Sequence, residues 1–153
     1  MTYPNPTIEG FIAEHFVPVK LLLNRPADRP HFRTYHVIWT PTIVIMDRRG
    51  AGHYHSLGYL PPELALQMLH IGLARAKLAW SRWDEAAAHL EVVADDRASP
   101  LGPEALYWLG IAWYLKSPRR RNLMHAWGRL RAEYPASSWA ARVPPNQEDA
   151  LEP

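Results

Sequence analysis

The chain has 153 residues, 48% of them hydrophobic and 21% charged, so it can build one medium domain or two small ones, and global disorder is excluded. A net charge of +2 is too small to argue for a nucleic-acid partner. The absence of cysteine excludes disulfides, thiolate metal sites and dithiol chemistry within the chain.

Pro6 sits where a helix starts, with Asn5 or Thr7 as its cap, and Ile8, Phe11 and Ile12 share one face. A short helix is therefore predicted over 7–15. Phe16-Val17-Pro18-Val19-Lys20-Leu21-Leu22-Leu23 reads as a strand, which Pro18 pushes towards a sheet edge. Residues 24–36 are rich in Pro and Arg and predict a loop with at most one short helical turn.

Thr40-Pro41 then opens the apolar run Ile43-Val44-Ile45-Met46, which reads as a buried strand. Proline is allowed at the head of a strand, where no ladder donor is lost. Asp47-Arg48-Arg49-Gly50 supplies a tight turn, with Gly50 free to take positive φ. His53 to Leu57 is the return strand of a hairpin.

From Pro62 the period becomes helical, with Leu66, Leu69, Leu73, Ala76 and Trp80 on one stripe. A second helix is predicted over 83–93, and Ser99-Pro100-Leu101-Gly102-Pro103 breaks the chain after it. A third covers 104–115, with Leu106, Leu109 and Trp113 together, and Pro118 ends it. A fourth covers 122–134, carrying Leu123, Trp127, Leu130 and Tyr134 at spacings of four, three and four. The polar, Pro-containing tail over 144–153 should be frayed.

Candidate chemistry is sparse. His53 and His55 stand two apart on a predicted strand, which is metal-ligand spacing, and His31 and His36 are near in sequence, but no third ligand is evident. Neither a metal nor a cofactor is expected. The aromatic residues 80, 83, 107, 108, 113 and 127 lie at helical spacing and predict inter-helix packing rather than a ligand surface. Pro118-Arg119-Arg120-Arg121 reads as a solvated basic loop. There is no Ser/His/Asp order, Gly-rich phosphate loop or supported carboxylate pair. No apolar run reaches the length of a membrane span, and the polar start does not read as a signal peptide. A cytoplasmic location is the default expectation.

Trp39-Thr40-Pro41-Thr42 before an apolar strand, the Asp-x-x-Gly hairpin, and Gly58-Tyr59-Leu60-Pro61-Pro62-Glu63 leading a helix together resemble the second half of a thioredoxin domain. Phe16-Val17-Pro18-Val19-Lys20-Leu21 resembles the segment after that family's redox motif, and Tyr3-Pro4-Asn5-Pro6 resembles the Tyr-Pro-Asp-Pro that follows its second cysteine. The resemblance implies that Pro41 is the family's cis-proline and that Met1 falls just past the place of Cys-x-x-Cys. It also implies that the central strand is missing, so strands 17–23 and 42–47 either pair directly, receive a segment from another chain, or belong to a longer protein.

Arg82-Trp83-Asp84-Glu85-Ala86, the stretch Glu104-Ala105-Leu106-Tyr107-Trp108-Leu109-Gly110-Ile111-Ala112-Trp113, and the stretch from Ala126 to Ser137 resemble tetratricopeptide-type hairpins. The expected fold class is therefore α/β: an incomplete thioredoxin-like sheet-and-helix unit over 1–80, an all-α tetratricopeptide-like region over 81–143, and a flexible tail over 144–153. In the thioredoxin family the backbone before the cis-proline pairs with an extended peptide, which implies a peptide-binding site at Trp39, Thr40 and Pro41. The expected function is a thioredoxin-like binding module without redox cysteines. Its partner would be a protein or extended peptide, not nucleic acid or membrane, and the unpaired strands allow a homo-oligomer. One alternative is the C-terminal portion of a thiol-disulfide oxidoreductase whose Cys-x-x-Cys lies upstream. Another is a structural adaptor that works through the helical hairpins.

Overall fold

A computed structural model describes residues 5–145, which form six α-helices and one two-stranded antiparallel sheet. The protein is thus mixed α/β and mostly helical. The chain divides into two compact units, one up to Ala76 and one from Lys77 onward.

In the first unit, α1 spans Pro6–His15. Asn5 caps it: its side-chain oxygen accepts from the backbone N–H groups of Thr7 at 3.0 Å and Ile8 at 3.3 Å. Asn5→Ala leaves those two donors without their acceptor and should cost about 0.5–2 kcal/mol, read as a lower urea midpoint for this unit at unchanged slope. Ile8 is the buried residue of the helix.

The strand expected over 16–23 does not form. A strand exists only as one side of a pair, and among the described residues nothing pairs with this one. Most of its side chains stay in solvent, with Val17 91% and Val19 76% exposed, while Phe16 and Leu21 are half-buried. The segment ends where the Leu22 N–H donates to the buried carboxylate of Asp28 at 2.8 Å. The following stretch is more helical than expected. A 3-10 turn at Pro26–Asp28 leads into α2, Arg29–Thr34. Pro26 and Pro30 each fall in a first turn, where a missing N–H leaves no bond unmade.

Strand β1, Thr42–Met46, pairs antiparallel with β2, Gly52–Leu57. The register runs from Thr42 opposite Leu57 to Ile45 opposite Tyr54, then slips so that Met46 faces Gly52. The Asp47 carboxylate organises the turn, accepting from the N–H of Arg49 at 2.8 Å and of Ala51 at 3.0 Å. Gly50 takes φ +81°, a left-handed conformation that favours glycine.

Helix α3 spans Pro62–Ala79. Of the expected stripe, Leu69 and Leu73 are buried, but Met68, Ile71 and Ala74 are buried more deeply, so the covered arc is wider than the sequence spacing implied. Gly72 faces the hairpin: a Cβ there would lie 2.1 Å from Ile45 Cδ1 and 3.1 Å from Tyr54 Cβ.

In the second unit, α4 spans Trp83–Ala94, α5 Gly102–Lys116 and α6 Arg120–Glu133. Helix α5 packs against both neighbours. An ion pair joins Lys116 at the end of α5 to Asp84 at the start of α4, so these two run antiparallel. Arg129 of α6 donates to Asp95 at 3.3 Å and to the Ala94 carbonyl at 3.2 Å at the other end of α4. The core holds Leu90 and Val93 of α4, Leu106 and Leu109 of α5, and Ala126 and Leu130 of α6, each at 0% exposure. Arg120 and Arg121 belong to the first turn of α6, not to a loop, and both are exposed.

The tail expected to fray lies outside the described residues from 146 onward, as do residues 1–4, which include Tyr3 and Pro4 of the Tyr-Pro-Asn-Pro segment. Among the described residues, no helix is long and apolar enough to cross a membrane.

Candidate peptide-binding edge

The turn before β1 is built by local hydrogen bonds. Helix α2 ends with the Val37 N–H donating to the Phe32 carbonyl at 2.8 Å, and His36 adopts φ +51°. The chain then runs out into solvent: Ile38 is 85% and Trp39 68% exposed. A shallow depression of about 380 Å³ lies beside them, lined by Phe32, Arg33, His36, Val37 and Ile38. The Thr40–Pro41 peptide is cis, the isomer implied by the resemblance. The Thr42 hydroxyl donates to the Trp39 carbonyl at 2.6 Å, and the Gly58 N–H donates to the Pro41 carbonyl at 2.8 Å.

That second bond brings the end of β2 beside the turn. Leu57, opposite Thr42, is exposed, and so is Tyr59. Ile38 and Trp39, just before β1, and Leu57 and Tyr59, around the end of β2, are thus exposed apolar residues at the same end of the hairpin. Trp39, Thr40 and Pro41 are all exposed there. Leu57 and Tyr59 were not among the residues expected there. The available signal was Gly58, which takes φ +93° and turns the chain back towards Pro41.

Along the hairpin, the edge of β1 away from β2 is bare. Among the described residues no backbone hydrogen bond reaches Thr42–Met46 except from β2. The strand carries no charge and no proline, the usual devices that blunt an edge. Such an edge presents main-chain donors and acceptors at the spacing of an extended peptide.

The other candidates resolve differently. The slip between Ile45 and Met46 makes His53 the extra residue of a bulge. Its ring lies 3.2 Å from the Asp47 carboxylate, while His55 is exposed opposite Val44. Among the described residues no three metal-ligating side chains converge. The helical aromatics pack. Tyr107 stacks on Trp127 at 5.3 Å, and the Trp127 indole donates to the Tyr107 carbonyl at 3.0 Å. Trp139, not singled out from the sequence, joins them at 5.2 Å from Tyr107, with the Arg142 guanidinium 4.3 Å over its ring.

The molecule defined by these features is a mixed α/β protein with a two-stranded hairpin whose outer edge takes no backbone hydrogen bond among the described residues. No family model, no curated protein and no solved structure matches the chain.

Proposed function

We propose that the protein is a thioredoxin-like, non-redox module that binds an extended peptide or protein segment by adding it as a strand to β1. The observation that carries this reading is the bare, uncharged β1 edge with exposed Trp39 at its head. The ligand backbone would bond to the outward groups of β1, and Trp39, Leu57 and Tyr59 would cover the apolar side chains at its end. Tryptophan offers the largest contact area of any side chain at small entropic cost, so Trp39 is the expected anchor.

The test is selection from a displayed library of random linear peptides, followed by calorimetry. Trp39→Ala should weaken the selected peptides by about thirtyfold or more, the scale of a binding hot spot, while the far-ultraviolet circular dichroism stays unchanged. Unchanged affinity would sink the strand-addition reading. Loss of binding on Trp139→Ala instead would favour an adaptor working through the helices.

A second reading draws on the Val17–Leu23 run, where Val17, Val19, Leu22 and Leu23 are exposed and no described strand lies beside the backbone. In that reading the chain is the C-terminal portion of a thiol-disulfide oxidoreductase. The intact mass of protein from its source cells decides it. A species larger than 17.5 kDa with Cys-x-x-Cys ahead of Thr2 supports this reading, and a 17.5 kDa species defeats it.

A further inference from the structure

Basic side chains gather just before β1. The depression of about 380 Å³ is lined by apolar Phe32, Val37 and Ile38 and by two polar residues, Arg33 and His36. Arg33 stands in the last turn of α2 and is exposed. Among the described residues, no carboxylate lies within ion-pair reach of its guanidinium. The stretch 29–46 holds Arg29, His31, Arg33 and His36 and no acid. The acids that flank it in sequence are engaged elsewhere. Asp28 is buried, accepts from the Leu22 N–H at 2.8 Å and lies 3.6 Å from Arg25. Asp47, past the far end of β1, accepts from the N–H groups of Arg49 and Ala51. Glu63, the next acid along the chain, is exposed and makes no ion pair among the described residues.

We propose that the segment added to β1 carries an acidic side chain, Asp or Glu, that enters this depression and pairs with Arg33. The inference rests on the strand-addition reading and names the chemistry of its ligand. Main-chain pairing accepts any extended peptide, and side-chain pockets supply the selection. A guanidinium takes a carboxylate in a two-pronged, charge-assisted pair. Phe32, Val37 and Ile38 keep water from part of that pair, which strengthens it relative to one in open solvent. The imidazole of His36 adds an N–H donor to the same depression. A basic ligand side chain meets Arg33 as a like charge, and a neutral one leaves the guanidinium unpaired.

The reach is short. Ile38 lines the depression and stands just before Trp39, Thr40 and Pro41, which lead into Thr42, the first residue of β1. An extended ligand advances about 3.3 Å per residue. Its acid therefore lies within about four positions of the stretch that pairs with β1, beside the apolar residues that meet Trp39. Strand β1 itself carries no charge, so the selection falls to this end of the edge.

Peptides selected on the full chain test this, with a double-mutant cycle by calorimetry. The selected sequences should share Asp or Glu at one position. Replacing that acid by its amide should weaken binding about fivefold at about 0.15 M salt, the upper end for a solvent-touched ion pair. The difference should shrink at about 1 M salt, where charges are screened beyond about 3 Å. Against Arg33→Gln, the acidic and amide peptides should bind alike. Arg48→Gln removes the same charge from the turn at the other end of the hairpin and should keep the preference. Peptides that depend on Trp39 but share no acid would overturn this inference and leave the strand-addition reading standing. A preference that survives Arg33→Gln, or that Arg48→Gln abolishes equally, would also overturn it. A library that yields no binder would remove both.

Discussion

Gly110→Val is expected to destabilise the helical unit by about 3 kcal/mol, the upper end of the overpacking range. A Cβ at Gly110 would lie 2.8 Å from both Cδ1 and Nε1 of Trp127, and 3.0 Å from the Leu123 carbonyl oxygen. Neither neighbour yields easily. The Trp127 indole is held by its hydrogen bond to Tyr107 and stacks on that ring. Leu123 contributes backbone, so relief there requires α6 to move away from α5. Helix propensity opposes the clash but is smaller. Replacing Gly by Ala gains about 1 kcal/mol within a helix, so Gly110→Ala should lose less than Gly110→Val and still fall below wild type. Urea unfolding followed by tryptophan fluorescence measures both, as a lower midpoint at constant slope. Gly128 on α6 has nothing within 4 Å and is the control. There the propensity gain is unopposed, and Gly128→Ala should stabilise. A Gly110→Ala variant as stable as Gly128→Ala would show that α5 and α6 separate without cost.

Gly72→Val is expected to cost the first unit about 2 kcal/mol, again by overpacking. A Cβ at this position would meet Ile45 Cδ1 at 2.1 Å, Tyr54 Cβ at 3.1 Å and Ile45 Cγ1 at 3.3 Å. The closest atom is the end of a side chain, which makes this site more forgiving than Gly110. But Ile45 is only 4% exposed, so its δ-methyl has little room to turn. The Arg75 guanidinium covers the Tyr54 ring at 5.5 Å and restrains the other neighbour. Ile45→Val removes the clashing methyl itself. In wild type that truncation should cost about 1 kcal/mol, whereas in the Gly72→Val background it should cost less or restore stability. The sign of this coupling is read from a double-mutant cycle. Additive effects would mean that Gly72 and Ile45 do not touch.

The two glycines differ in how visible they were beforehand. Gly110 lies within the Glu104 to Trp113 stretch that resembles a tetratricopeptide-type helix, and the pair Leu109-Gly110 with Trp113 three positions on is a sequence sign of close helix packing. Gly72 sat unremarked inside an apolar helix, because its constraint comes from Ile45 and Tyr54, distant in the chain. The candidate site divides in the same way. Trp39, Thr40 and Pro41 stand out because a Thr-Pro step precedes an apolar run. The place of Leu57 and Tyr59 beside that turn depends on the bond between Gly58 and Pro41, which no spacing rule contains.

Local chemistry alone determined the hairpin and the helices from Pro62 onward. Asp47 and Gly50 make their turn with groups two to four residues away, and helical hydrogen bonds close within four. The same holds for the start of α1, where Asn5 caps its own neighbours. Tertiary structure alone decided the rest. Residues 16–23 have strand composition yet form no strand, since pairing requires a second backbone and none of the described residues supplies one. The six residues of α2 fell below the length at which period can be read. The buried arc of α3, the bulge that sends His53 to Asp47, and the place of Trp139 against Tyr107 all depend on neighbours far along the chain. A sequence specifies its turns and helix repeats through bonds a few residues long, whereas burial, strand pairing and exposed edges are set by what the rest of the fold brings alongside.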